Sequence, residues 1–420
     1  MLVKYCFNIK EKIMFYNEHL VFASGGRSNY RIPSMIVTNN GTVLAFCNDR
    51  KDTVSDHADE VTLVLAKKKP NEAWSEVIEL SGLEGWACGI GSAVYDNEIG
   101  KAMIFSGRNP VARNEFGKYT PEQIAEMDRR AEEARKRAES LGIKAGGCIF
   151  VSTDDGETWS EEPLVVEPIE HTHWDGTKAM VRGGTHGAAH GIQLRHGKYK
   201  GRLLCAARTS IGKYNNWAGL RKCVYNTAIY SDDHGKTWQT ADCVQLGTGE
   251  GTLIELANGD ILYNSRAYFQ DGKRYLATST DGGASYHDFR TDDFLAEETY
   301  IGCNASFIRV ELDELSEANR ALLPDGAQDV TVFCNPRAET RRNMTACVSF
   351  DSGKTWREAK TFFEGPSAYS SLVFNPVDQH FHLVYEKGKW GLDSKGNEDE
   401  NPYNAGICAA EFDLEWLLSE

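Results

Sequence analysis

Nowhere in the 420 residues does an apolar stretch approach the roughly 20 residues that a membrane-spanning helix needs. The first twenty residues interrupt their apolar positions with Lys4, Lys10, Glu11 and Lys12, so no secretory h-region is visible. The expectation is a cytoplasmic protein, with secreted or lysosomal placement left open. Basic residues are in deficit, 46 against 61 acidic, for a formal charge of −15. That balance argues against general binding to nucleic acid or anionic lipid surfaces. It leaves room for a small anionic ligand held by a local arginine cluster. Cysteine is sparse and odd in number, eleven without metal-ligand spacing, which suits reduced thiols better than a disulfide framework. No metal or cofactor motif stands out, and no Pro/Ser-rich linker divides the chain, so one domain is expected over 1–420.

What is present is a repeat. Ser-x-Asp-x-Gly-x-Thr-Trp occurs at Ser152–Trp159, Ser231–Trp238 and Ser349–Trp356, with a weaker copy at Ser279–Tyr286. Asp154, Asp232, Asp281 and Asp351 are read as the residues folding back onto backbone N–H groups. Gly156, Gly235, Gly283 and Gly353 permit positive φ, and the terminal aromatic can anchor the turn on an apolar layer. Each copy follows a strand-like run such as Gly147-Cys-Ile-Phe-Val-Ser. Trp74 ends a decayed copy. Between repeats the chain reads as short strands and turns, at intervals that suit four-stranded sheets arranged radially. A strand near Leu20–Ala23 could close the ring with Ala405–Phe412.

One stretch breaks the β pattern. Residues 120–142 place Thr120 as N-cap, Pro121 at the first helical position and Gly142 as the stop. Glu126–Arg130 has helical spacing, and a solvated surface helix is the plainer reading of the composition, with a lid or an oligomer contact as the alternatives.

Several arginines stand at the ends of apolar strands: Arg31 in Tyr-Arg-Ile-Pro, Arg50 after Val43–Cys47, Arg266 after Ile261–Ser265, and Arg341 before Met344. Repeated in successive sheets, such arginines could point to a common centre and fork around a carboxylate or phosphate. Scattered structural ion pairs are the plainer reading. Asp52, Asp56, Asp59 and Glu60 crowd the loop after Arg50 and could supply a proton donor. Glu250 lies in a Gly-flanked segment, and Tyr369 lies among small residues that would leave its hydroxyl accessible.

Taken together, Tyr30-Arg-Ile-Pro33, the repeated turns, Lys200-Gly-Arg-Leu-Leu204, Gly365-Pro-Ser-Ala-Tyr-Ser-Ser-Leu372 and Leu383-Val-Tyr-Glu-Lys-Gly388 resemble, in order, segments of the exo-α-sialidases of the Asp-box superfamily. The resemblance spans about residues 20–412. It implies an all-β fold, a six-bladed β-propeller over about 15–415 with a helical insertion at 120–142. It also implies hydrolysis of terminal α-linked sialic acids on glycans, glycoproteins or glycolipids, with no cofactor and no metal.

Carried over by position, Arg31, Arg266 and Arg341 resemble the triad that grips the sialic acid carboxylate, with Arg342 as the neighbouring near-miss. Arg50 resembles the additional arginine on the sugar's position-4 side, and Glu386 the carboxylate that orients Arg31. Tyr369 resembles the nucleophile and Glu250 its base. Asp56 takes the acid/base role, with Asp52 and Asp59 as alternatives. A related nonulosonate hydrolase, a trans-sialidase or a non-catalytic glycan-binding propeller are the other readings of such a chain.

Overall fold

The computed structural model describes residues 14–52, 60–81, 86–110, 120–143, 145–173, 176–185, 190–210, 224–388 and 405–419. Asp56 and Asp59 lie outside them. Strands dominate, as expected for an all-β protein; the α-helices among the described residues are Pro121–Ser140 and the short Glu317–Arg320 and Leu414–Leu418. Antiparallel hairpins follow one another along the chain. Ser28–Val37, Val43–Lys51, Val61–Lys68 and Ile78–Ser81 pair in order. Trp86–Asp96, Lys101–Pro110, Gly146–Ser152 and Ser160–Pro163 repeat the arrangement, joined to the first group by a parallel contact of Val61 with Ala87. Thr248–Glu255 to His287–Ala296 make a separate sheet of four strands. The 19-residue strand Arg357–Asn375 serves two groups, pairing with Arg342–Ser349 through its first half and His380–Lys387 through its second. Because the ladders merge neighbouring groups into sheets of eight and seven strands, hydrogen bonding alone leaves the number of blades open.

The strand Val43–Lys51 shows why the apolar runs look continuous. Leu44 and Phe46 join a core with Leu63, Leu65 and Ile104, while Val43, Ala45 and Cys47 join another with Met35, Val384 and Ile407. Both faces of the sheet are covered, so successive side chains bury in opposite directions. The second of these cores fastens the end of the chain to its beginning. Tyr16–Ala23 completes the closure, pairing with Gly406–Asp413 so that Leu20 faces Cys408.

The repeated turns fold alike. Ser152 Oγ accepts from Gly156 N at 2.9 Å, and Asp154 accepts from Thr158 N at 2.9 Å and from Thr158 Oγ1 at 2.6 Å. Gly156 has φ +77°, and a Cβ there would lie 2.7 Å from Leu44 Cδ2. In the second copy the turn residue is Asp233, which receives Thr237 N at 2.9 Å; the expectation of Asp232 is corrected. Asp232 instead pairs with Arg202 at 2.8 Å on the outside of the turn. The third place of the repeat, two residues after Ser231, is Asp233, beside the chemically identical Asp232.

The helix begins as expected: Thr120 and Gln123 cap one another reciprocally. Glu126, however, bonds Arg129 at 2.6 Å, three residues on rather than four. Its alanine face is docked, with Ala134 and Ala138 packed on Trp86 and Cys88, and Trp86 Nε1 donating to Ala134 O at 3.0 Å.

Candidate active site

Three of the proposed site residues sit at irregularities in their strand ladders. Pairing shifts between Arg31 and Ser34, between Thr248 and Gly251, and between Ser367 and Ser370. Bulges re-aim side chains that a regular pleat would send to alternate faces. They turn Arg31, Glu250 and Tyr369 out of the repeating pattern. At the first, Ile32 adopts φ +62°, a left-handed conformation that a β-branched residue takes at a cost of about 1–3 kcal/mol. Glu386 holds it there, accepting Ile32 N at 2.8 Å.

Glu386 has no exposed surface and organises one side of the site. Its Oε1 also accepts Arg31 Nε at 2.6 Å, and its Oε2 accepts Tyr369 N at 3.1 Å. The carboxylate thus fixes a guanidinium and the backbone of the tyrosine together. On the other side, Tyr369 Oη donates to Glu250 Oε1 at 2.8 Å and accepts from Arg266 Nη1 at 2.6 Å. The same Nη1 lies 2.5 Å from Glu250 Oε2, and Arg266 Nε donates to Ile301 O at 2.9 Å. Among the described residues, Arg266 Nη2 has no hydrogen-bond partner. Arg341 lies over the Tyr369 ring at 5.5 Å, with Nη2 donating to Gly302 O at 2.9 Å and Nε 3.4 Å from Glu298. Arg342 turns the other way, donating to Glu364 O at 3.2 Å in an exposed position. Arg266 and Arg341 therefore both meet Tyr369, while Arg31 is tied to the tyrosine's backbone through Glu386.

Arg50 is buried at the end of Val43–Lys51. Arg31 pairs with Asn48 and Asn29 with Arg50, which puts Arg31, Asn48 and Arg50 on one face of the strand pair. Asp52 is taken up elsewhere: its exposed carboxylate meets Arg27 at 2.7 Å, and that hydrogen bond lowers its pKa. A carboxyl held ionised in this way is poorly suited to donate a proton.

The electrostatics set the resting states. Burial pushes the Tyr369 phenol well above its ordinary pKa; Arg266 and Arg341 pull it down, and Glu250 raises it further. The tyrosine rests protonated. Burial disfavours the charge on Arg266, but Glu250, Tyr369 and Tyr268 beside it keep its pKa above the usual value. Cys303, packed with Tyr369, Ala368 and Ile32, is pushed up to about 12 by burial and stays a thiol.

Residues behind the arginines carry no motif. Glu298, Ile301 and Gly302 supply acceptors to Arg266 and Arg341, two of them backbone carbonyls, and Tyr268 lies 5.1 Å beneath Arg266. The two adjacent acidic residues Glu297 and Glu298, just past the strand His287–Ala296, were a signal the sequence could have offered. Among the described residues, three clusters have the make-up of cation ligands, one of them Asp378–His382–Glu411, and none of the three contains a residue of this group.

A BNR repeat-like domain model matches residues 132–382. With its Asp-box turns and all-β sheets, the chain belongs to that family. It is 31% identical over 409 residues to a sialidase of Micromonospora viridifaciens, covering 96% of this chain and 54% of that protein. It is 30% identical to Sialidase-4 of Mus musculus, covering 66% of this chain and 54% of the relative. The chain thus spans about half the length of these curated relatives. Among solved structures, an intramolecular trans-sialidase of Ruminococcus gnavus, in complex with oseltamivir carboxylate, aligns with a TM-score of 0.65 at 16% identity, over 95% of this chain and 98% of that one. A Hadza microbial sialidase aligns at 0.65 and 19%, over 93% and 66%. At those identities the likeness is one of fold, the sialidase β-propeller.

Proposed function

We propose that this chain is a retaining exo-α-sialidase, acting from a single six-bladed propeller over about residues 15–415. The observation that carries the reading is the Glu250–Tyr369–Arg266 group, in which a neutral phenol is bonded to a carboxylate on one side and a guanidinium on the other. The anomeric carbon of a sialoside bears a carboxylate, which a carboxylate nucleophile would repel. A phenol deprotonated only as it attacks avoids that repulsion, so the usual pair of glycosidase carboxylates is replaced.

Arg31, Arg266 and Arg341 bind the substrate carboxylate, Glu386 orients Arg31, and Arg50 faces the position-4 side of the sugar. Asp56 protonates the departing glycosidic oxygen as the bond to the aglycone breaks. Tyr369 Oη forms its bond to the anomeric carbon while its proton passes to Glu250 Oε1, 2.8 Å away. Arg266 Nη1, already donating to Tyr369 Oη at 2.6 Å, stabilises the phenolate character as it develops. Water, deprotonated by Asp56, then attacks the anomeric carbon, and the tyrosine leaves with the proton held on Glu250. Atoms and charges balance without a metal or cofactor taking part. The substrates are sialylated glycans, glycoproteins or glycolipids.

The test is incubation with a fluorogenic α-sialoside, with the released sugar identified. Free sialic acid of retained anomeric configuration is expected. An anhydro-sugar product would redirect the reading to an intramolecular trans-sialidase, and turnover of Kdn glycosides alone to a related nonulosonate hydrolase. An inert parent protein would sink the enzymatic reading.

A further inference from the structure

Two of the three arginines share a support that the proposed reaction does not use. Ile301 O accepts Arg266 Nε and Gly302 O accepts Arg341 Nη2, each at 2.9 Å, so adjacent backbone carbonyls on one loop, residues 297–303, position both guanidinium groups. Arg31 is held separately by Glu386. The loop is itself fastened from beneath. Glu297 Oε2 meets Arg274 Nη1 at 2.6 Å and accepts Cys303 N at 3.3 Å, while its Oε1 accepts Ala267 N, next to Arg266, at 3.2 Å. Arg274 also donates to Cys303 O at 2.8 Å and to Asn264 Oδ1 at 2.7 Å. Arg274 is fully buried and Glu297 is 3% exposed. At its far end the loop reaches the segment before Arg341, with Thr299 N donating to Glu339 O at 3.2 Å.

Gly302 closes the arrangement. Its φ is +66°, and a Cβ there would fall 2.8 Å from Glu297 Oε1 and 2.9 Å from Arg266 Cγ. The loop, the ion pair and the arginine side chain leave no room for one another to shift. A buried ion pair is weak evidence for stability, because desolvation offsets much of the attraction. It is well suited to fixing geometry, and carboxylate recognition by guanidinium forks depends on angles held within about 10–20°.

We propose that Glu297 and Arg274 are positioning residues of the carboxylate site, a buried latch that sets the loop whose carbonyls aim Arg266 and Arg341 together. The proposal rests on the sialidase reading. The latch acts only through those two arginines, so its loss weakens recognition of the substrate carboxylate more than recognition of the rest of the sugar.

The readout is the ratio of inhibition constants for the 2,3-dehydro analogue of sialic acid and its methyl ester, which differ only at that carboxylate. In Glu297→Gln and Arg274→Met the preference for the acid is expected to fall about tenfold or more, with Arg274→Lys partly restoring it. Gly156→Ala, in a distant turn, serves as a variant that lowers Tm without moving the ratio. Should the latch variants fail to fold, Gly302→Ala displaces the loop itself and is expected to move the ratio likewise. A ratio unchanged within about twofold in the folded variants, beside an active parent, overturns the latch and leaves the sialidase reading standing. A parent that cleaves no α-sialoside overturns both.

Discussion

Tyr369 and Glu250 come from strands that are not neighbours in any sheet, yet the hydroxyl donates to the carboxylate at 2.8 Å. Each sits at a break in its own ladder's register. Their meeting is produced by two bulges rather than by the pleat. Burial holds the phenol protonated, so attack requires Glu250 to accept a proton. Tyr369→Phe is expected to abolish turnover of a fluorogenic α-sialoside, because no atom remains to bond the anomeric carbon. Glu250→Gln keeps the shape and removes the base, and should lower kcat by about 10²–10⁴-fold. Steady-state kinetics on the two variants check this. Undiminished turnover in Tyr369→Phe would rule out the tyrosyl route.

Glu386 shows how a single carboxylate serves both stability and binding. It is fully buried and accepts from Arg31 Nε, Ile32 N and Tyr369 N. In Glu386→Gln the amide must turn its own donor toward one of these three, and the Arg31 charge loses its counter-ion. A loss of about 3 kcal/mol is expected by denaturant unfolding, together with a raised KM. If KM stays at the parent value while stability falls, Glu386 is structural only and Arg31 needs no orientation from it.

Legibility in the sequence followed range. The turns at 152–159, 231–238, 279–286 and 349–356 are made within eight residues, so spacing alone revealed them, and the same holds for the Thr120 cap. Arg266 and Arg31 stood out because charge at the end of an apolar strand is conspicuous. Ambiguity arose where neighbours were chemically alike: Asp232 beside Asp233, and Arg342 beside Arg341. Two identical polar neighbours outside the apolar positions cannot be told apart by the hydrophobic pattern, only by the local hydrogen bonds each one makes. The latch was invisible for another reason. Ile301 and Gly302 act through carbonyl oxygens that every residue possesses, and Glu297 meets Arg274 only after the strand between them has returned. The Asp56 loop lies outside the described residues, so its assignment still rests on the resemblance.

The turns should prove to be scaffold alone. Asp233 receives two hydrogen bonds from Thr237 and one from Ser231, while Asp232 makes an outer ion pair with Arg202. Asp233→Ala is expected to cost about 1–2 kcal/mol, the range for losing a cap, with kcat/KM at the parent value at temperatures where the variant is folded. Asp232→Ala breaks a pair whose carboxylate is 57% exposed and should cost less than Asp233→Ala, below about 1 kcal/mol. Thermal unfolding of both variants decides which aspartate belongs to the turn. The opposite order would place Asp232, not Asp233, in the turn.

Closure of the ring should carry an acid sensitivity. Glu411 on the last strand reaches Lys68 of the first sheet at 3.3 Å and His380 Nδ1 at 2.9 Å. Burial alone would raise its pKa, but the His380 hydrogen bond and the charges of His382 and Lys68 outweigh burial and hold it at about 2, against an ordinary 4.5. A carboxyl whose pKa is lower in the folded chain stabilises it most where both states are ionised. That contribution is complete above about pH 5 and disappears as the pH falls through 4.5 toward 2. Glu411→Gln should therefore have a lower Tm than the parent at neutral pH, and the two curves should approach one another as acid is added. A gap in Tm that stays constant from about pH 6 to pH 2 would show that the ionised carboxylate contributes nothing to closing the ring.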